Sequence, residues 1–89
     1  MTIEDLKEHF TRHLLRHDQG IHPDDLVRHV EQSVGPVEDT HRNLMHSWIA
    51  SLHAAGHLNR ADDWVNLSED GRIVLLRSME RGDFNFLPF

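Results

Sequence analysis

Two breaks near the middle of the chain constrain its fold more than any other feature of the sequence. Gly35-Pro36 ends a helix, because proline lacks a backbone N–H and clashes with the preceding turn, and Gly56 is typical of the position just past a helix C-terminus. Between these breaks, apolar side chains recur at helical spacing and predict a helix over about 40–55. One face of this helix is apolar and should form core. That face is predicted to consist of Leu44, Met45, Trp48, Leu52 and Ala55.

Two shorter helices are predicted before this segment. Thr2 begins a capping-box pattern, and apolar residues at helical spacing then predict a helix over 3–18. Pro23 suits the first position of a second helix, which the Gly35-Pro36 break ends. Ile21-His22 is expected to be extended, because a proline follows it. The second and third helices are joined by only about four residues, as in a helix-turn-helix unit.

A hairpin and a fourth helix are predicted after Gly56. Strand-like runs at 57–60 and 64–67 flank the turn residues Ala61-Asp62-Asp63, and Ser68 is a suitable N-cap for the helix that follows. Apolar residues surround most of the axis of this helix, which indicates that it packs on its own domain and on a second surface. They are Ile73, Val74, Leu75, Leu76 and Met79.

These elements predict a mainly α fold with a small β-hairpin, of the α+β class. The expected order is helix, short strand, helix, helix, hairpin, helix. Eighty-nine residues suffice for one hydrophobic core. We therefore assign residues 1–81 to a single domain and residues 82–89 to an aromatic C-terminal tail.

Composition narrows the possible functions. Fifteen acidic residues against nine basic ones give a net charge of −6, which disfavours non-specific binding to nucleic acids. The chain has no cysteine, which excludes disulfides and thiolate metal sites. With no signal peptide and no segment able to span a membrane, we expect a cytoplasmic protein. It has no nucleophile motif and no phosphate-binding glycine loop, so we expect neither catalysis nor a cofactor.

Two segments carry a resemblance to a known class of protein. They are residues 52–58 (LHAAGHL) and residues 65–71 (VNLSEDG), which flank the predicted hairpin. Over roughly residues 3–80 the chain resembles winged helix-turn-helix domains, in particular small bacterial regulators of the MarR, PadR and ArsR type. The resemblance implies that the third helix would enter the DNA major groove and that the hairpin, or wing, would contact the DNA backbone or minor groove. It also implies that flanking helices form a dimer.

The resemblance points to one binding face, on the outer side of the third helix and on the wing. Its residues are Thr40, His41, Arg42, Asn43, His46, Ser47 and His53, with Arg60 on the wing. Two arginines there are outnumbered by carboxylates, and counterion release from phosphates normally needs several cations. Alternatively, Arg42 pairs with an acidic neighbour and Asp62-Asp63 serves the turn. We favour a protein partner over double-stranded DNA, with sequence-specific transcription regulation as the alternative.

A second set of apolar residues is expected to contact a partner or a second copy of the chain. These residues are Leu75, Met79, Phe84, Phe86, Leu87 and Phe89. An exposed aromatic tail could dock in a partner's groove. In the alternative interpretation, the tail folds back onto its own domain, because a small domain needs the buried area. We expect a homodimer formed through the first helix, the fourth helix or the tail.

Nine histidines are unusual for this length. His9, His13 and His17 lie at i, i+4 and i+8, and His53 and His57 are four residues apart, which is a spacing compatible with metal ligation. We favour boundary positions for the first three, and Gly56 should interrupt the helix before His57. We therefore predict no metal site. Protonation of histidines near pH 6 suggests a secondary hypothesis of pH-dependent association.

Overall fold

Residues 2–88 are described by a computed structural model and form four helices and one antiparallel hairpin. In chain order the elements are α1 (Ile3–Arg16), α2 (Pro23–Val34), α3 (Asp39–Ala54), β1 (Leu58–Ala61), β2 (Trp64–Leu67) and α4 (Glu69–Arg81). The prediction of a mainly helical α+β fold with one small hairpin is confirmed.

The ends of the first two helices follow from local capping chemistry. Thr2 and Asp5 form a reciprocal capping box, with hydrogen bonds of 3.1 and 3.2 Å between each side chain and the other residue's backbone N–H. α1 ends at Arg16, two residues before the predicted end, with His17 as its C-cap. α2 begins at Pro23 as predicted, and Gly35 terminates it with a φ of +92°.

The third helix confirms most of the predicted core face. Met45, Trp48 and Leu52 are buried, and Leu44 is partly buried. The prediction for Ala55 is wrong, because this residue is the C-cap of α3 and is exposed. Ile49 is buried as well, so the apolar face is wider than predicted.

The hairpin connects to the first half of the chain through one short extended segment. β1 and β2 pair from Leu58 opposite Leu67 to Ala61 opposite Trp64. Ile21, between α1 and α2, forms an antiparallel bridge with Val65, and two backbone hydrogen bonds of 2.9 Å link them. Ile21 is thus extended, as predicted, and it pairs with the hairpin as a third strand of one residue.

Helix α4 approaches the start of the hairpin closely at a glycine. Gly71 is buried, and a Cβ atom built on it would lie 2.0 Å from the carbonyl oxygen of His57. Ser68 caps α4 by accepting a hydrogen bond from the backbone N–H of Gly71 at 3.0 Å, and its hydroxyl donates to the carbonyl of Gly56 at 2.7 Å. These contacts attach the start of α4 to the end of α3.

The tail packs against the same core as the helices. Gly82 ends α4 with a φ of +65°, and Phe84 and Leu87 are buried beyond it. The indole Nε1 of Trp48 donates a hydrogen bond to the carbonyl oxygen of Pro88. Phe86 is partly buried, while Phe89 lies outside the described residues. For Phe84 and Leu87, the structure shows the folded-back arrangement.

Within residues 2–88, each helix falls short of the length and apolar character that crossing a bilayer requires.

Candidate macromolecule-binding face

The outward side of α3 forms a polar strip. Most of its predicted binding residues are exposed, and His41 is half-buried; the exposed ones are Thr40, Arg42, Asn43, His46, Ser47 and His53. A helix rises about 1.5 Å per residue, so Thr40 and His53 stand about 20 Å apart along the axis. Successive residues of a helix are about 100° apart, so His41 lies on the same side of α3 as the buried Trp48 and Leu52, whereas the exposed residues spread over the outward side.

Arg42, near the start of the strip, is held in two ion pairs. Its Nε donates to Oε1 of Glu31 on α2, and its Nη1 donates to Oδ1 of Asp39 at 2.7 Å. The hydrogen bond to Glu31 raises the pKa of Arg42, and the negative charges of Glu31 and Asp39 raise it further. The structure thus shows the pairing with acidic neighbours that the sequence offered as an alternative role for Arg42.

A shallow groove between α2 and α3 extends the strip. Its walls are Asp24, Val27, Arg28, Glu31, Arg42 and His46. Arg28 pairs with Asp25 at 3.0 Å, and Nε2 of His46 lies 3.6 Å from Oδ1 of Asp24. Each arginine of the groove therefore has a carboxylate partner. The groove offers hydrogen-bond donors and acceptors without an excess of positive charge.

Sequence reasoning missed the contribution of α2 to this face. Asp24 and Glu31 are seven residues apart and lie on the side of α2 that meets α3. The sequence did indicate that Asp24 and Glu31 share one side of α2, since residues two helical turns apart lie on nearly the same side of a helix. It did not indicate which neighbouring helix that side contacts, because this depends on tertiary packing.

The hairpin presents Arg60 and two aspartates next to it. Arg60 is exposed on β1, and among residues 2–88 no carboxylate lies within ion-pairing distance of its guanidinium. Asp62 adopts a left-handed backbone conformation, with a φ of +54°. Aspartate is among the residues that tolerate this region best, so Asp62 has a role in the turn itself.

Trp64 is a surface residue that the predicted binding face did not include. It is 54% exposed, at the start of β2. The alternation along β2 carried the signal, because Val65 and Leu67 face the core and the residues that alternate with them, Trp64 and Asn66, must face the other side. Trp64 is therefore an exposed apolar residue of the hairpin, and a Cβ atom built on Gly20, between α1 and α2, would lie 3.7 Å from its ring.

The predicted partner or dimer contacts are mostly covered by their own chain. Leu75, Phe84 and Leu87 are buried, and Met79 and Phe86 are partly buried. Their contact with a partner stays a prediction, and so does that of Phe89, which lies outside the described residues. The large apolar side chains that α4 leaves exposed are Ile73 and Leu76, at 43% and 49%.

Histidines gather between α1 and α2. Nε2 of the buried His13 lies 2.6 Å from the Ser33 hydroxyl, and the ring of His29 stacks on His17 at 5.0 Å and lies 6.2 Å from His13. Burial lowers the pKa of His13, and the neighbouring positive charges, with Arg16 first, lower it further.

The second histidine pair is separated by the end of a helix. Ala54 ends α3, so His53 lies in the helix and His57 lies beyond it. In the part of the chain that the structure describes, no group of three or more histidines and carboxylates is arranged to hold a metal ion.

Comparisons with known proteins give no match: neither a family model, nor a curated protein, nor a solved structure corresponds to this chain.

Proposed function

We propose that this chain is a winged-helix domain that binds a macromolecular partner through the outward face of α3 and the hairpin, and that this partner is a protein. The order of elements supports the winged-helix assignment. The Ile21–Val65 bridge adds the short strand that such a domain has between its first two helices. The short connection from α2 to α3 has the length of a helix-turn-helix unit.

The pairing of Arg42 is the observation that favours a protein over DNA. Non-specific affinity for DNA comes mainly from cations that displace counterions at phosphates. Here the cation on the exposed side of α3 already faces Glu31 and Asp39. A phosphate approaching Arg42 would meet these two carboxylates as well and would have to displace them.

The chemistry of the surface suits a protein partner. Arginine and tryptophan are enriched among residues that dominate protein–protein affinity, because they combine large contact area with directional hydrogen bonds. Trp64 is half-exposed on the hairpin, and α3 contributes polar groups such as Asn43. Arg60 lies opposite Val65 and Trp64 lies opposite Ala61, so the two side chains leave opposite faces of the hairpin. We propose that Trp64 supplies the apolar anchor and that α3 supplies the polar contacts around it.

Sequence-specific DNA binding is the second candidate. Asn43, His46 and Ser47 are exposed, and such side chains can hydrogen-bond to base edges or phosphates. Fluorescence anisotropy with generic labelled duplex DNA separates the two candidates. At about 20 mM salt, a DNA-binding domain should bind with roughly micromolar affinity that falls steeply with added salt. We expect no such signal here, and a salt-sensitive signal would establish the second candidate.

Charge-neutralising variants test whether the ion pairs of Arg42 account for the weak DNA binding that we expect. Glu31→Gln combined with Asp39→Asn leaves Arg42 without its two partners. The control, Glu8→Gln combined with Glu80→Gln, removes the same charge on α1 and α4 and frees Arg12 from Glu8. We expect salt-sensitive DNA binding to appear in the first variant only. Equal gains in both would mean that net charge alone, and not the local pairing, repels DNA.

Site-specific photo-crosslinking tests for the protein partner directly. A photoreactive residue at Asn43, on the proposed face, is compared in the native cell with one at Glu4 on α1. We expect a discrete protein adduct from position 43 and none from position 4. Nucleic-acid adducts, or adducts at position 4 alone, would overturn the proposed face.

A further inference from the structure

A cleft lies between the C-terminal half of α4 and the tail that follows it. Its volume is about 240 Å³. One wall is a stripe of α4 at helical spacing, and the tail forms the other wall. The lining includes Val74, Arg77 and Arg81 on the helix and Asp83, Asn85 and Phe86 in the tail.

The tail wall is attached to the domain by its own contacts. Gly82 ends α4 with a left-handed φ of +65°, which turns the chain away from the helix axis. The backbone N–H of Asp83 then donates to the carbonyl of Ser78 at 3.2 Å. Beyond it, the side chains of Phe84 and Leu87 are buried. Both walls of the cleft therefore rest on the core.

The two arginines of the cleft carry positive charges that the chain does not pair. Arg77 and Arg81 are four residues apart on α4, so they lie on the same side of the helix, and like charges at this spacing repel each other. Within residues 2–88, neither has a carboxylate at ion-pairing distance, although the chain has fifteen acidic residues and nine basic ones. Other arginines do contact carboxylates, namely Arg12, Arg28, Arg42 and Arg72. A bound anion would relieve the repulsion between Arg77 and Arg81.

The cleft also contains one oriented negative charge. Oδ1 of Asp83 accepts a hydrogen bond from the backbone N–H of Asn85 at 3.0 Å, and in the part of the chain that the structure describes its second oxygen has no partner. A carboxylate oxygen in this position can accept a hydrogen bond from a ligand. The same charge would repel a ligand that is only negative, such as inorganic phosphate. A ligand with a positive group close to its negative group suits both charges of the cleft.

Apolar and amide groups complete the lining. Val74 and Phe86 are partly buried and pack against the core, and both face the cleft. The side-chain amide of Asn85 makes no hydrogen bond to residues 2–88, so it can donate to a carboxylate. The cleft thus brings together two cations, one anion, an amide donor and apolar surface.

We propose that this cleft binds a free α-amino acid with an apolar side chain. The carboxylate of the amino acid lies against Arg77 and Arg81, whose guanidinium groups match carboxylates with paired N–H donors. Its ammonium group donates to Asp83, and its side chain contacts Phe86. The arginines and Asp83 do not pair with each other, which leaves space for the ligand between them. The proposal goes beyond the proposed function and does not depend on it, since it involves α4 and the tail and not α3.

Binding should be weak, because the charged groups of the cleft are exposed. Arg77, Arg81 and Asp83 all face solvent, and solvent-screened charge pairs each contribute little. A ligand of about nine non-hydrogen atoms, such as leucine, then has a dissociation constant that is roughly millimolar. Nuclear magnetic resonance detects binding in this range.

Two-dimensional ¹H–¹⁵N spectra of the full chain, titrated with L-leucine and L-phenylalanine up to about 20 mM, test the proposal. We expect saturable shifts at the backbone amides of residues 82–86 and at the side-chain amide of Asn85, with α1 unaffected. N-acetyl-L-leucine lacks the ammonium group and L-leucinamide lacks the carboxylate. Each should bind about fivefold more weakly than leucine, or worse. No saturable shift with either amino acid, or equal binding of either analogue, would overturn the proposal.

Matched variants test the role of each charge. Arg77→Gln combined with Arg81→Gln should abolish leucine binding. The control, Arg16→Gln combined with Arg60→Gln, removes two other exposed arginines and should leave binding unchanged. Loss of binding in the control as well would mean that net charge, and not the cleft, attracts the ligand.

The variant Asp83→Asn tests recognition of the ammonium group. An asparagine oxygen can still accept the hydrogen bond from the Asn85 backbone, so the turn is retained. We expect this variant to bind leucine and N-acetyl-L-leucine equally. Circular dichroism checks that all variants remain folded, as substitutions of exposed side chains should. A preference for leucine that survives Asp83→Asn would contradict the assigned orientation.

Discussion

Gly71→Ala is the substitution for which the structure makes the sharpest prediction. Alanine is favoured over glycine inside a helix by about 1 kcal/mol, so at an open helical position this change stabilises a protein. Gly71 is a residue of α4 without a left-handed φ, so alanine can adopt its backbone conformation without strain. The substitution would instead cause a steric clash, because the new Cβ would lie 2.0 Å from the carbonyl oxygen of His57.

The steric cost should outweigh the gain in helix propensity. Real Cβ atoms essentially never approach other atoms within 3.0 Å, so α4 or the segment at His57 would have to move by about 1 Å. The carbonyl oxygen of His57 belongs to the backbone, so no side-chain rotation can relieve this clash. Overpacking typically costs about 1–3 kcal/mol, and we place this case at the upper end. After subtracting about 1 kcal/mol for helix propensity, we expect a net loss of about 2 kcal/mol. For a domain of this size, that corresponds to a lower Tm by roughly 8–16 °C.

Urea denaturation followed by circular dichroism measures this loss. Ala50→Gly is the matched control, because Ala50 is an exposed residue of α3 and reports the helix-propensity contribution alone. We expect the control to cost about 1 kcal/mol. If Gly71→Ala were as stable as the wild type or more stable, the close approach of α4 to His57 would be refuted.

Three further predictions concern the tail, the histidines and Arg42. Leu87→Ala should cost about 2–4 kcal/mol in urea denaturation, because Leu87 is buried in the core; a loss below 1 kcal/mol would mean that the tail is not packed there. The free energy of unfolding should fall as the pH drops from about 6.5 through the lowered pKa of His13, because the unfolded chain then binds more protons than the folded chain. His13→Asn should flatten this part of the pH profile of stability. An unchanged profile would exclude His13 as the cause of the pH dependence. Arg42→Glu should leave the midpoint of urea denaturation nearly unchanged, since its pairs are exposed and solvent-screened, but it should abolish the crosslink to a protein partner at Asn43. Retention of that crosslink would remove Arg42 from the binding face.

The positions of the helices were predictable because their ends are local. Pro23, Gly35 and Ser68 act on backbone groups within a few residues of themselves, so neighbouring residues are enough to recognise them. The error at Ala55 shows the limit of periodicity, which assigns a face to a residue without knowing whether the helix continues that far. The α+β class followed from the same local signals.

The candidate face was only partly predictable. Helical spacing was enough to place Asn43 and His46 on the outer side of α3, because one rotation per residue determines which side chains share a face. The partner of Arg42 was not determined in the same way. Glu31 is eleven residues away on another helix, and the packing of α2 on α3 brings it there.

The sequence by itself determined where the helices and the hairpin lie and which side of α3 faces outwards. Only the tertiary structure decided that Ile21 pairs with Val65, that Trp48 bonds to Pro88 and that α4 exposes Ile73 and Leu76. The physical reason is the range of the interactions. Capping, turn formation and helical periodicity involve residues close in the chain, whereas contacts between distant residues depend on how every element packs at once.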